Sequence, residues 1–466
     1  MPRPYSTCTI PRRKAYQLYL SESGAKFKGE EHAFPSPIAA GCETLLLPSE
    51  ERASRRKDTP MSSTAYEQLA NQLTDRGVDV SRVHAALKAQ EIETPSWGYG
   101  NSGTRFGVFK EPGAARDLHE RLADAAQVHR VTGVCPSVAI HIPWDRVDNF
   151  DDLRKEAAQL GVRIGAVNPN VFQDKAYKYG SLTHANPATR RQAMDAILEC
   201  IDIMKKVNSP ILSLWFADGS NYPGQVDMRQ RKRWMQEGLA EIHRHLPPKS
   251  RMLVEYKLFE PGFYHTDICD WGMATLMCQH AGPDAQVLVD LGHHAHGVNI
   301  EFIVTSLLDE GMLGGFHFNN RKNADDDLTV GSINPYEVFL IFAEIIAAER
   351  AGIVKRPIAY MIDQSHIIKQ KIEAMIQSVM NIQTAYARAL LLNWDALADA
   401  RTRNDAVDAE RVLQEAYLTD VRPLLEKVRA DMGLGPDPII AHRESGYSAR
   451  VAKERVGELK GAASWG

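Results

Sequence analysis

The sequence predicts a closed (β/α)8 barrel of the TIM type, with an N-terminal helical segment and a C-terminal helical extension. Three observations carry that expectation. Short apolar runs alternate with longer amphipathic stretches, eight such runs fall within about 270 residues, and the one early G-x-G-x-x-G run, Gly98-Tyr-Gly100-Asn-Ser-Gly103, does not open directly into a helical stretch. Alternation of this kind predicts parallel strands joined by helical crossovers, and eight strands over that length fit a closed barrel. An open doubly wound sheet would show the same alternation but needs a phosphate-cradling glycine turn near its start.

Residues 62–90 read as helical, with Leu69, Leu73, Val78 and Val83 set among charges. The runs predicted as strands are Pro95–Gly98, Val138–Ile142, Arg163–Val167, Ile211–Phe216, Met252–Tyr256, Val287–Leu291, Gly315–Asn319 and Ile358–Ile362. Amphipathic stretches such as Ala114–Val131, Pro187–Val207, Arg229–His245 and Tyr336–Ala351 lie between them. Residues 380–430 are helical and polar. The expected organisation is residues 61–380 for the barrel and 381–466 for the extension. Residues 1–60 differ, with ten Lys/Arg against seven Asp/Glu and no sustained periodicity. Glu22, Glu30 and Glu31 argue against a transit peptide. The simplest expectation is that Met61 is the natural start and residues 1–60 are upstream translation or a disordered tail, because their composition cannot easily bury a core.

Bulk properties narrow the function. The net charge of −4, spread along the chain, gives no electrostatic case for nucleic acid. No apolar run approaches the roughly 20 residues of a membrane helix. The six cysteines form no Cys-x-x-Cys pair, as expected for buried thiols in a reducing, cytoplasmic compartment.

In barrels of this kind, polar residues at the C-terminal ends of strands build the active site. Four consecutive predicted strands end in potential metal ligands. Strand five offers Glu255 and, two residues on and so on the same side, Lys257. Strand six offers Asp290 and then His293, strand seven His317 and a loop with Asp325 and Asp327, and strand eight Asp363. A glutamate at one strand end is ordinarily a salt-bridge partner, and an acidic loop is ordinarily a solvated turn. Four adjacent apolar strands ending this way are different, because burying a lone charge is heavily penalised. A divalent cation offsets that penalty, and mixed carboxylate–imidazole ligation suits Mn²⁺, Co²⁺, Zn²⁺ or Mg²⁺. The ligand count suggests two ions. Glu255, Asp290, His317 and Asp363 would enclose one tightly, while His293, Asp325 and Asp327 would hold a second, more open one suited to catalysis. Trp97, His141, Trp144 and Trp215 stand at other strand ends, and three tryptophans rimming a metal site resemble a sugar-stacking wall.

The segments His141-Ile-Pro-Trp144-Asp, Trp215…Asp218-Gly-Ser-Asn-Tyr-Pro-Gly, Asp290-Leu-Gly-His293-His294, Gly-Gly-Phe-His317-Phe-Asn and Met-Ile-Asp363-Gln-Ser365-His resemble L-rhamnose isomerases, closest to the branch with broad aldose–ketose specificity. The resemblance runs from about residue 62 through Val451. It implies a (β/α)8 barrel, a homotetramer with subunit contacts through the extension, and two divalent ions, often Mn²⁺. It implies a monosaccharide substrate interconverted between aldose and ketose, L-rhamnose and L-rhamnulose in the first place, by a hydride shift on the open chain. Lys257, Asp325, Asp327 and Asp363 would take catalytic roles. Trp97, His141, Trp144, Trp215 and His293 would contact substrate, and Phe106 would come from a neighbouring subunit. The loop after His317 departs from the family, which often carries an acid and a serine near Asn320 and Arg321. Three alternatives compete: a sugar epimerase of the same superfamily, a non-catalytic sugar-binding metal protein, and a metal-dependent phosphodiester-cleaving nuclease. The mild acidity and the tryptophan rim speak against the last.

Overall fold

The structure, a computed structural model, describes residues 63–457 apart from 102, 105–106, 261–263 and 366–367. The expectations for residues 1–60 and for Phe106 lie outside the described residues. Two helices open the described chain, α1 (Ser63–Asp75) and α2 (Val80–Ala89). Eight barrel strands follow: β1 (Glu93–Pro95), β2 (Ser137–Ile142), β3 (Arg163–Pro169), β4 (Ile211–Leu214), β5 (Arg251–Glu255), β6 (Ala285–Asp290), β7 (Leu313–Phe318) and β8 (Ala359–Ile362). They pair in parallel, in chain order, and close when β1 meets both β2 and β8. The barrel the sequence predicts is the one that forms.

The crossovers are α3 (Leu118–Thr132), α4 (Phe150–Gln159), α5 (Pro187–Val207), α6 (Met228–His245), α7 (Trp271–Ala281), α8 (Ile300–Asp309) and α9 (Pro335–Arg350). Each begins where an Asp or Asn can accept a first-turn backbone N–H, as Asp117, Asn149, Asp270 and Asn334 do. Helix α5 matches its predicted span because both ends are written locally. Asn186 caps it, Pro187 opens it, and Asn208 closes it in the left-handed region with φ 57°.

Strands β2, β6 and β7 are buried at every residue, as strands with both faces covered must be. Their apolar side chains pack outward against the helical ring. Beyond the barrel, helix α10 (Lys371–Leu390) is followed by α11 (Trp394–Thr402), α12 (Ala406–Leu418), α13 (Arg422–Asp431), α14 (Pro438–Glu444) and α15 (Tyr447–Glu454). Leu73, Val83 and Leu87 of the two opening helices share a small core with Leu391, Leu424, Leu425 and Val428. The polar helices at both ends therefore bury one another's apolar stripes.

One strand differs from its prediction. The segment Pro95–Gly98 was expected to be extended, but β1 stops at Pro95 and Ser96–Tyr99 form a 3-10 turn. Tertiary contacts override the aromatic pattern there. Ser96 Oγ donates to Asp145, Trp97 Nε1 donates to Asp363 at 2.8 Å, and a Cβ on Gly98 would come within 2.8 Å of Met375 Cε.

Candidate metal centre

Parallel register places the expected ligands at one level. Asp290 of β6 lies directly beside His317 of β7, and Glu255 of β5 pairs with Leu288 two residues earlier. Asp363 follows the last residue of β8, and its N–H donates to Phe318 O at 3.2 Å. One ligand atom from each of Glu255, Asp290, His317 and Asp363 fits within a 4.8 Å cluster. His317 Nδ1 faces the three carboxylates at 3.3 Å from Glu255, 3.9 Å from Asp290 and 3.6 Å from Asp363.

A second cluster shares Asp290 and adds His293 and Asp325 within the same 4.8 Å limit. His293 Nε2 lies 3.0 Å from Asp325 and 4.0 Å from Asp290, while its Nδ1 lies 3.1 Å from the Tyr256 carbonyl. A proton on Nδ1 would donate there and leave Nε2 free to ligate, the usual arrangement for a metal-binding imidazole. Asp327, expected alongside Asp325, is in neither cluster. It stands close enough that Asp325, Asp363 and Asp290 all act on its ionisation.

The electrostatics describe an excess of buried negative charge. Burial, with Glu255 and Asp363 nearby, pushes Asp290 up to about 7. Burial also raises Asp363, and it raises Asp327 well above the usual range, aided by the neighbouring acids. For Glu255 burial works the same way, but the imidazoles of His317 and His293 outweigh it and hold the carboxyl at about 2. Burial pulls His317 down, yet the surrounding carboxylates lift it to about 9. Carboxylates outnumber the cations available to meet them. His317 Nδ1 and Asp325 Oδ1 are moreover buried with no hydrogen bond of good geometry. Buried, unsatisfied donor atoms among crowded acids fit a divalent cation, and the oxygen-rich, thiol-free set suits a hard or borderline one.

Residues outside the expected list hold these ligands in place. Asn319 Nδ2 donates to both Asp290 oxygens at 3.0 Å, and Gly292 N donates to one of them at 2.6 Å. A Cβ on Gly292 would sit 3.0 Å from Asn319 Oδ1 and 3.1 Å from Asp290 Oδ1, so a larger residue there would press on the pair that it helps to hold. Lys257 Nζ lies 2.6 Å from Asp325 and 2.9 Å from Glu260. Burial opposes its charge, but those two carboxylates raise it above its ordinary value.

The aromatic wall forms beside this centre and is wider than expected. His141 is within 5.5 Å of Trp97 and 4.1 Å of Trp144, ring to ring. Phe172 joins them to Trp215, 4.7 Å away, and Lys257 Nζ sits 5.1 Å from the Trp215 ring. Phe172 was missed because a lone Phe after β3 looks like any core residue. Asp145 fixes the backbone under His141 by accepting its N–H at 2.7 Å while paired with Arg121 at 2.5 Å. Burial pulls His141 down to about 3, so the ring stays neutral. Its Nδ1 and the Trp215 Nε1 are buried without a partner in an otherwise apolar wall. Such atoms suit a ligand with an apolar carbon face and several hydroxyls.

Fold and site together define a barrel enzyme class with a carboxylate–imidazole centre at the strand C-termini. The family model described as a xylose isomerase-like TIM barrel matches residues 135–340. The chain is 42% identical over 410 residues to a probable sugar isomerase of Rhizobium meliloti, covering 87% of this chain and 95% of that one. A probable sugar isomerase of Mesorhizobium japonicum is 40% identical over 418 residues, 89% of this chain and 97% of that one. A xylose isomerase of Thermus thermophilus is 24% identical over 262 residues, 51% and 67% of the two chains. The chain belongs to the xylose isomerase-like TIM barrel family.

Proposed function

We propose that the protein is a metal-dependent aldose–ketose isomerase acting on an open-chain monosaccharide, with L-rhamnose and L-rhamnulose as the leading pair. The observation that carries this reading is the shared position of Asp290. It joins a closed ligand cluster to an open one beside Lys257 and the aromatic wall. The relatives named probable sugar isomerases support it.

Glu255, Asp290, His317 and Asp363 would hold one divalent ion, and His293 and Asp325, with Asp327 beside them, a second. Mn²⁺ is the first choice over Co²⁺, Zn²⁺ and Mg²⁺. When bound, such ions supply Lewis-acid polarisation of neighbouring substrate oxygens. The residues do the remainder. The wall of Trp97, His141, Trp144, Phe172 and Trp215 excludes water and lines up the carbon chain. Lys257 stabilises negative charge developing at the reacting oxygen. Asp325 or Asp327 carries a proton between O1 and O2, and the hydrogen on C2 passes to C1 as hydride without a protein base. Solvent deuterium at C1 of the product would overturn that last step in favour of an enediol. The remaining parts of the reading are a cytoplasmic homotetramer, a barrel at 61–380 and a subunit-contacting extension at 381–466.

The test is a comparison of kcat/KM on L-rhamnose, L-mannose, L-lyxose and D-allose, with EDTA abolishing turnover and Mn²⁺ restoring it. Product epimerised at C3 in place of ketose would assign the protein to the epimerases instead. Pocket shape alone discriminates sugars differing by one methyl by only about 1–3 kcal/mol, so a graded preference is expected.

A further inference from the structure

The loop-borne cluster depends on two segments that no strand ladder joins. The 291–295 segment after β6 carries His293, and the 319–328 segment after β7 carries Asp325 and Asp327. Arg321 spans the gap between them. Its Nη1 donates to Leu291 O at 2.5 Å and its Nη2 to Ala295 O at 2.9 Å, so the guanidinium grips the chain two residues before and two residues after His293. A planar fork suits two such acceptors, which a lysine could meet only one at a time.

The segment that carries Arg321 is itself braced. Asn320 and Leu328 exchange both backbone hydrogen bonds at 2.9 and 2.8 Å, closing the loop at its base. Asp326 turns away from the centre and accepts the N–H groups of Lys322 and Asn323 at 2.7 Å and of Ala324 at 3.1 Å. Asp325 and Asp327 on either side of it adopt φ of 50° and 47°, a left-handed conformation that the surroundings must impose on a non-glycine residue. With its base closed and its tip pinned, the loop presents Arg321 to the 291–295 segment as a rigid strut.

We propose that Arg321 is a positioning residue that sets the distance between His293 and Asp325, and so governs the affinity of the loop-borne cation site without touching the strand-borne one. It contacts no ligand side chain. Its effect runs through two carbonyls of the segment that presents one. The inference rests on the two-ion reading above, and the experiment separates the two.

Metal-free full-length protein is titrated with Mn²⁺ while free Mn²⁺ is followed by electron paramagnetic resonance. The wild type should take up two ions per chain. In Arg321→Met the first should bind as in wild type and the second about 10- to 100-fold more weakly, the usual consequence of losing an outer-shell support. Arg321→Lys should fall between the two, and Asp326→Ala, which frees the loop tip, should weaken the same site. If the Met variant does not fold, the Lys and Ala variants carry the test on the same criterion. Equal weakening at both sites, or no change at either, would overturn the role of Arg321. A wild type that takes up fewer than two ions would instead overturn the two-ion reading.

Discussion

The strand-borne and loop-borne ligands occupy adjoining volumes but are held by different means. Glu255, Asp290, His317 and Asp363 end or directly follow strands, so the parallel ladder fixes their spacing before any side chain bonds to another. His293 and Asp325 lie beyond the ladder, and their spacing depends on side chains reaching backbone across the gap. A barrel can thus carry one rigid site and one adjustable site side by side, and the adjustable one is where an open coordination position belongs.

Substitutions should break the comparison in graded fashion. Asp290 belongs to both clusters, so Asp290→Asn should abolish both and lower kcat/KM by more than about 10³-fold, since leaving buried charges unpaired costs several kcal/mol and each 1.4 is a decade. Retained binding of a single Mn²⁺ in that variant would show that the clusters are independent. Asp325→Asn should spare the first ion, remove the second and lower kcat by about 10²-fold, with metal content and kinetics measured on the same sample. Asn319→Ala removes both bonds to Asp290 and should weaken Mn²⁺ binding about tenfold. The smallest effect belongs to the wall. Trp215→Phe keeps an aromatic face but loses the pyrrole half of the indole with its partnerless N–H, and should raise KM for the preferred sugar by roughly 2- to 10-fold, about the worth of one hydrogen bond.

Much of the first region was legible in the chain. An apolar strand ending in Glu, Asp or His contradicts its own hydrophobicity, and four in succession leave a metal as the economical resolution. The ladder then does what parallel pairing must, so order along the chain became proximity in space. The second region was legible only as composition. Asp325 and Asp327 looked equivalent, yet left-handed backbone at both positions brings Asp325 into the cluster and leaves Asp327 beside it. Nothing local predicts such a pair. Arg321 and Asn319 were invisible for a related reason, since their partners lie about 30 residues away and polar loop residues usually face water. The first strand failed by the opposite route, because Ser96 and Trp97 have partners 49 and 266 residues on that outweigh local preference.

That last distance has a mechanical meaning. The ring of strands is closed between β1 and β8, where Glu93 pairs with Met361. Just above this seam, Trp97 from one lip grips Asp363 from the other. A cation ligated by Asp363 and also by β5, β6 and β7 would act as a rivet, fastening the last stave of the cask to three others while the indole fastens it to the first. Stripping the metal should therefore loosen the barrel at one known place, with amide protons of β8 and β1 exchanging sooner than those of β3 and β4, which lie farther round the barrel and carry no ligand.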